Sequence, residues 1–243
     1  MLYIIMCSDF LTLNIIPVEI VELIEETPSI KYLKLDLSNQ DFEYNAGQWI
    51  DCYAEIEGER YIVGYSLASN PLNKEFIEIA VKNSDNRVST WIHEKADLGD
   101  TLYINGGQGE VFYTREMGDR LVLLAAGIGI APIRGILNYA DSIGDVKATL
   151  VYSASSTKEL AFHQEFLNIS KNNPLIYYNV TISKSDTLSF REGRIDKRYL
   201  KSLNLGKSSL FYVSGPPEMI KNVIKDLKEM GVDEKKLKYE LWW

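Results

Sequence analysis

Between residues 15 and 82 apolar and polar positions alternate in short runs rich in β-branched and aromatic residues. Residues 15–25 are rich in Ile and Val. Tyr32, Leu33, Leu35 and Leu37 follow, with Lys34 and Asp36 set between them. Further runs lie at 49–56, 61–67 and 76–82, each broken from the next by Gly, Pro or Asn. That period of two, with that punctuation, predicts an antiparallel sheet or barrel. Residues 89–95 predict one short helix with Ser89 or Thr90 as its cap, and 102–104 a last strand before the Gly-rich stretch 106–109. The texture then changes. The run 120–126 is apolar, as in a strand buried on both faces. Helical patterns at 132–142, 159–170, 196–202 and 217–230 alternate with strand patterns at 148–152, 176–183, 209–214 and 238–242. This alternation predicts a parallel, Rossmann-like sheet with helices on both faces. Gly118 lies between the two textures, which divides the chain into residues 1–116 and 117–243.

A length of 243 residues suits two domains. With 46% hydrophobic and 25% charged residues the composition is that of an ordinary soluble protein, and the net charge of −8 argues against nucleic acid as the main partner. Two cysteines, Cys7 and Cys52, are too few for a four-ligand zinc or iron–sulfur site within one chain. They read as reduced thiols of a cytoplasmic protein. The apolar start, residues 1–13, has no Lys or Arg and is interrupted by Asp9. It reads as a leading strand rather than a signal peptide or a membrane span.

Three segments carry candidate chemistry. Leu121–Ala126 runs into Gly127-Ile128-Gly129-Ile130-Ala131-Pro132, a buried strand entering a glycine turn that opens a helix. Such a turn lets the backbone approach a pyrophosphate and presents helix N–H groups to it. Pro132 suits a first helical turn, where its missing N–H would be unpaired anyway. The segment Phe211–Met219 repeats the form, with Ser214, Gly215, Pro216 and Pro217 between strand and helix. Tyr65-Ser66-Leu67 sets a flat ring beside a hydroxyl at a strand end. His93 and His163 lie on predicted helices and read as surface or boundary residues.

Taken together, and with Arg87-Val88-Ser89-Thr90-Trp91, Gly107-Gln108-Gly109-Glu110-Val111-Phe112 and Glu240-Leu241-Trp242, these segments resemble in order and spacing the ferredoxin–NADP reductase superfamily over about residues 15–243. The resemblance implies a six-stranded antiparallel flavin-binding barrel followed by an NAD(P)-binding half. It implies FAD, with FMN the lesser alternative, and NADPH or NADH as hydride donor. On the flavin side it implies Tyr65 stacked on the ring, Ser66 near its reactive nitrogen, and contacts from Leu67, Ala80, Lys82 and Val88. Ser89 and Thr90 would serve the flavin pyrophosphate, and Trp242 or Trp243 would cover the ring or pack in a last strand. On the nucleotide side it implies Gly127, Gly129, Ile130, Ala131, Pro132, Gly215, Pro216, Pro217 and Met219, with Ser214 and Glu240 flanking the nicotinamide.

The chain departs from the family in three places. The arginine two before the tyrosine, which pairs with flavin phosphate, is Val63, and Arg60 or Arg87 stands as its replacement. The glycine of the phosphate stretch is Asn86 or Arg87, and the nicotinamide-side cysteine is Ser214. Ser155, Ser156, Lys158, Ser183, Lys184, Arg191 and Arg194 follow two strands with no acidic residue immediately after either, though Asp186 and Glu159 are near. This leans to NADPH. With no cysteine cluster, electrons pass to a separate acceptor: a ferredoxin, flavodoxin or oxygenase component, or free flavin, quinone or another small oxidant. A non-catalytic nucleotide-binding sensor or assembly module is the reading from another class.

Overall fold

The computed structural model describes residues 15–38, 40–184 and 190–241. Cys7, Asp186, Trp242 and Trp243 lie outside the described residues.

The first half holds β1 (Ile16–Thr27), β2 (Ile30–Asp36), β3 (Trp49–Ile56), β4 (Glu59–Ser66), β5 (Phe76–Lys82), α1 (Arg87–Glu94) and β6 (Thr101–Gln108). The strands form one six-stranded sheet in the order β4-β3-β6-β1-β2-β5, antiparallel at every pairing. The end strands then meet. Leu67 bridges Ile79, and the Ala68 N–H donates to the Glu78 carbonyl at 2.8 Å, so the sheet closes into a barrel just past Ser66. Closure removes an exposed edge. Glu57 and Gly58 make the β3–β4 turn with positive φ at both residues, 56° and 80°, as a two-residue hairpin requires. Inward side chains of every strand, among them Ile20, Leu33, Leu35, Ile50, Cys52, Ile79 and Ile104, form the barrel core.

The second half holds β7 (Arg120–Ala126), α2 (Ile130–Ile143), β8 (Lys147–Ala154), α3 (His163–Asn172), β9 (Ile176–Ile182), β10 (Arg191–Glu192), α4 (Lys197–Ser202), β11 (Leu210–Ser214), α5 (Pro217–Glu229) and β12 (Leu237–Tyr239). Its sheet runs β10-β9-β8-β7-β11-β12, parallel throughout. Alternate residues of β7 feed opposite faces. Leu121, Leu123 and Ala125 pack with α2 and α3, and Val122 and Leu124 with α4 and α5. The apolar run of β7 is thus explained by burial on both faces. The α2 side of this core also takes in Ile30, Tyr32, Ala46, Ala68 and Ala80 from the barrel, so one apolar cluster joins the two halves.

Several boundaries differ from the sequence expectation, each for a local reason. The first helix starts at Arg87 because Asn86, not Ser89 or Thr90, caps it, accepting the Ser89 N–H at 2.7 Å. Strand β6 runs on through Gly106 and Gly107, where a side chain at Gly106 would meet the Ile50 Cα at 3.1 Å. The helix expected from 159 begins only at His163. The Phe162 N–H donates to Glu26 Oε1 at 2.6 Å and Phe162 takes φ 57°, while the Ser29 hydroxyl donates to Glu159 Oε2 at 2.5 Å. These bonds from the barrel draw 159–162 out of helical geometry. Strand β10 has no apolar alternation to announce it. Among the described residues no helix is long and apolar enough to cross a membrane, and no group of His, Cys, Asp or Glu has metal-binding geometry.

Candidate functional site

The parallel sheet reverses its order between β7 and β11: β8, β9 and β10 lie to one side and β12 to the other. Ligands of such sheets sit beyond the carboxyl ends of the strands at the reversal. The chain leaves β7 through Gly127, whose φ is 54° and beside which a Cβ would meet nothing within 4 Å. It turns through Gly129 into α2. A Cβ on Gly129 would lie 2.4 Å from the Ser214 carbonyl carbon and oxygen and 2.5 Å from the Gly215 nitrogen. The two turns therefore touch backbone to backbone. Neither α2 nor α5 has a side chain hydrogen-bonded over its first turn, so both present N–H groups and a positive dipole end at the same crevice. Pro132 stands in the first turn of α2, and Pro217 opens α5 behind Pro216. Ile130 and Ala131 were expected to touch the cofactor. Their side chains are buried in the core between sheet and helix. Met219 likewise packs toward the core under α5.

Ser183 and Lys184 are exposed at the end of β9, and their N–H groups donate to the Ala154 and Ser155 carbonyls at 2.9 and 3.1 Å. Both stand at the carboxyl edge of the sheet beside Ser155. Arg191 is committed elsewhere: it donates to Thr181 Oγ1 at 3.0 Å and the Arg194 carbonyl at 2.9 Å, and stacks 4.0 Å over Tyr199. Glu159, held by Ser29 and Thr27, is turned to the barrel.

On the barrel side, Tyr61, Val63 and Tyr65 share one face of β4 and pack toward the barrel core, alongside Trp91 of α1. The Tyr65 hydroxyl is buried with no hydrogen-bond partner among the described residues. Burial pushes this phenol far above its ordinary range. An orphaned hydroxyl of this kind costs about 1–3 kcal/mol. Arg60 lies on the other face of the strand from Val63. The β3–β4 register runs without a bulge from Trp49↔Ser66 to Ile56↔Glu59, which leaves Arg60 on the opposite face, over the Tyr103 ring at 5.4 Å. Arg87 is placed otherwise. It is exposed at the start of α1, with its guanidinium 5.9 Å from the Tyr61 ring centroid, on the Val63 and Tyr65 side.

The other flavin-side residues are placed as follows. Leu67 and Val88 are fully buried in the barrel core. Ala80 points to the opposite face of β5, into the cluster shared with α2. Lys82 is exposed, and its carbonyl accepts the Ser89 hydroxyl at 2.7 Å. That hydroxyl also accepts the Ser84 N–H, and the Ser89 N–H is taken by Asn86, so no polar group of Ser89 faces outward. The Thr90 hydroxyl donates to the Ser84 carbonyl at 3.3 Å, and its N–H is the helix's own. Asn86, one of the two residues that could stand at the family's glycine, takes the Ser89 N–H with its side chain.

Glu240 is brought to the end of β4 by β12. Trp49 pairs with Ser66, and a Cβ on Gly109 would meet both Trp49 Nε1, at 2.7 Å, and Glu240 Oε1, at 3.1 Å. Burial holds the Glu240 carboxyl above the usual carboxylate range, against the backbone N–H groups of Glu110 and Val111 that favour its charged form. A carboxyl raised in the fold stabilises it when protonated and loses that advantage as pH rises through its folded value. Glu240→Gln is therefore expected to melt slightly above the wild type at pH 7, the difference closing once pH falls below about 4. Melting curves across that range check it, and a variant that melts lower at pH 7 would contradict it.

The two sides are held together by residues that the sequence reading missed. Arg134, one turn into α2, donates through Nη1 to the Ala68 carbonyl at 2.9 Å and to Glu78 Oε2 at 2.5 Å. Its Nε reaches both oxygens of Glu165 on α3 at 2.9 and 3.0 Å. Next to it, a Cβ on Gly135 would meet the Leu67 and Ser69 carbonyls at 2.9 and 3.0 Å. An arginine and a glycine inside the apolar face of a helix (Ile133, Ile136, Leu137) were the available signal.

Comparison with known proteins agrees with both halves. The family described as the oxidoreductase FAD-binding domain matches residues 17–113, and the oxidoreductase NAD-binding domain matches residues 123–225. The human protein named oxidoreductase NAD-binding domain-containing protein 1 is 33% identical over 245 residues, covering 90% of this chain and 77% of that protein. The flavohemoprotein of Bacillus subtilis is 29% identical over 87% of this chain and 54% of its own length. Among solved structures, the FAD/NAD-binding domain of the nitric oxide dioxygenase of Vibrio cholerae superposes with a TM-score of 0.85 at 25% identity, covering 93% of this chain and 98% of that one. A ferredoxin–NADP reductase from Neisseria gonorrhoeae, with FAD and NADP bound, shares the fold at a TM-score of 0.80 and 21% identity, over 95% and 99% of the two chains.

Proposed function

The chain belongs to the ferredoxin–NADP reductase superfamily, with an FAD-binding half followed by an NAD-binding half, and from that premise we propose that it is an NAD(P)H-dependent flavoprotein reductase serving a separate electron acceptor. Flavin, when bound, supplies the chemistry that accepts two electrons as hydride and can release them singly. The observation that carries the reading is the junction of the two halves. The strand end bearing Tyr65 and Ser66 runs straight into Leu67–Ser69, and this segment packs on the helix that opens at Gly127–Gly129.

The protein's part is to orient two flat rings and keep water from them. The Tyr65 ring and its unpartnered hydroxyl form the flavin wall, and Arg87 is the cation placed to take a phosphate in the absence of an arginine at Val63. Ser66 and Ser214 offer hydroxyls from either side of the crevice, and Glu240 closes its end beside Gly109. Lys184 and Ser183 serve a ribose phosphate. Glu159, tied to Ser29, is withdrawn from a ribose hydroxyl, which favours NADPH over NADH. A protein carrier is the preferred acceptor. Val63 and the Asn86 cap support a second reading, in which flavin is held weakly and exchanges as a substrate.

The deciding experiment is an absorbance spectrum before and after anaerobic addition of NADPH or NADH. Flavin bands that bleach support the reductase, and the faster donor identifies the nucleotide. A colourless protein that takes up neither FAD nor FMN overturns it and brings the non-catalytic reading forward. Flavin dissociation constants separate bound cofactor from exchanging substrate. Tyr65→Phe adds a sharper check: in flavin-free protein it is expected to stabilise by about 1 kcal/mol by removing an orphaned hydroxyl, while weakening flavin binding. Equal flavin affinity in the two proteins would remove Tyr65 Oη from the site.

A further inference from the structure

The position of Arg134 in the network joining the two halves has a consequence for the reaction itself. Arg134 is buried, 8% exposed, and its guanidinium sits at the seam where the barrel closes. Ala68, whose carbonyl it holds, is two residues past Ser66, and the Ala68 N–H donates across the seam to the Glu78 carbonyl. Arg134 also holds the Glu78 carboxylate, and so grips both strands of the seam at once. On its own side it is one helical turn from Gly129 and Ile130, where the nucleotide turn ends. Through Nε it is fixed to Glu165, which also accepts from Asn138 Nδ2 at 2.8 Å. The Phe162 ring lies 4.6 Å from the guanidinium carbon and the Tyr32 ring 5.7 Å, closing two further sides. Gly135, with no side chain, lets the helix backbone come down onto Leu67 and Ser69.

We propose that Arg134 is a positioning residue for hydride transfer, fixing the offset between the Tyr65–Ser66 strand end and the Gly127–Gly129 turn. The proposal rests on the reductase reading above. The route from one side of the reacting pair to the other is two residues of chain, one hydrogen bond to Ala68 O, the arginine, and one turn of α2. Transfer between two rings is steep in distance and angle, and a misplacement of about 1 Å costs on the order of a hundredfold. A planar fork with donors in fixed directions holds both the carbonyl and two carboxylates in register, and a lysine's single ammonium does not.

The test uses the full chain loaded with FAD, in Arg134→Lys and, as a variant whose fold is less at risk, Glu165→Gln, which is the more exposed of the two carboxylate partners. Flavin reduction by a saturating nicotinamide nucleotide is followed in single turnover, with flavin and nucleotide dissociation constants measured alongside. Amide exchange is compared in flavin-free protein. Arg134→Lys is expected to slow the reduction step roughly ten- to a hundredfold, with both dissociation constants within about threefold of wild type. Glu165→Gln is expected to slow it less, by about three- to tenfold, and both variants to exchange faster at Leu67–Ser69. A reduction rate unchanged in Glu165→Gln, and in Arg134→Lys if it folds, would overturn the proposal and leave Arg134 a structural tie. A slower rate explained wholly by weaker binding would overturn it too. A wild-type protein that holds flavin but is not reduced would overturn the reductase reading, and this proposal with it.

Discussion

Gly129→Ala is expected to leave a folded protein whose flavin is reduced by nicotinamide nucleotide at least about a hundredfold more slowly. The methyl group would stand 2.4 Å from the carbonyl of Ser214 and 2.5 Å from the nitrogen of Gly215. All of these are backbone atoms at the ends of adjacent central strands, so no side chain can swing away. Either α2 backs off β7 or the turn after β11 is pushed out, and both outcomes separate the surfaces that frame the crevice proposed for the nicotinamide. Overpacking of this kind costs about 1–3 kcal/mol of stability. Gly127→Ala is the internal comparison. It stands only two residues away with φ 54° and empty space around the added carbon, so it carries a left-handed strain of about 1–2 kcal/mol and no collision. Rates and melting temperatures of the two variants, side by side, check the argument. If Gly129→Ala is no slower than Gly127→Ala, close contact of the turns is not what the site requires.

Glu78→Ala is expected to be the most destabilising change among the charged residues, by about 3–5 kcal/mol. Glu78 is 8% exposed and accepts from Arg134 Nη1 and from the Tyr32 hydroxyl, each at 2.5 Å. Burial and that bond both push the Tyr32 phenol well above its ordinary range. Truncation leaves a buried guanidinium with one carboxylate instead of two, and a buried phenol with no acceptor. The penalty is that of stranding charge and donor out of water, larger than the net value of the pair itself. For a chain of this size it corresponds to a melting temperature lower by roughly 6–20 °C. Exposed pairs such as Lys95–Glu57 contribute far less because water screens them. Replacing both partners, as Glu78→Met with Arg134→Met, should recover part of the loss. Chemical denaturation of the two variants beside the wild type decides it, and a loss under about 1 kcal/mol in Glu78→Ala would show that the cluster is solvated in solution.

Much of this protein was legible in its sequence, because the signals were local. Period-two alternation marked the barrel strands, unbroken apolar runs marked the parallel strands, and glycine with proline marked both turns at the reversal of the parallel sheet. Each depends only on which face of an element is buried or which backbone angles a residue allows. The replacement of the family arginine was left open between Arg60 and Arg87. An unbulged β4 puts Arg60 on the opposite face from Val63, which supports Arg87. Ser89 carried the right residue type at the right place, yet Asn86 and Ser84 fill its polar groups. A capping bond between neighbours competes with any ligand, and side-chain rotation settles that competition. The late start of α3 and the Arg134 cluster were beyond the reach of sequence reading for another reason. Glu26, Ser29, Ala68 and Glu78 belong to the barrel, while Phe162, Glu159 and Arg134, which bind them, lie 56 or more residues away along the chain. Local pattern determined the elements and the two turns. Which polar groups are already satisfied, and how closely the two halves of the site are held, depends on contacts between segments distant in sequence, and only the tertiary structure decided those.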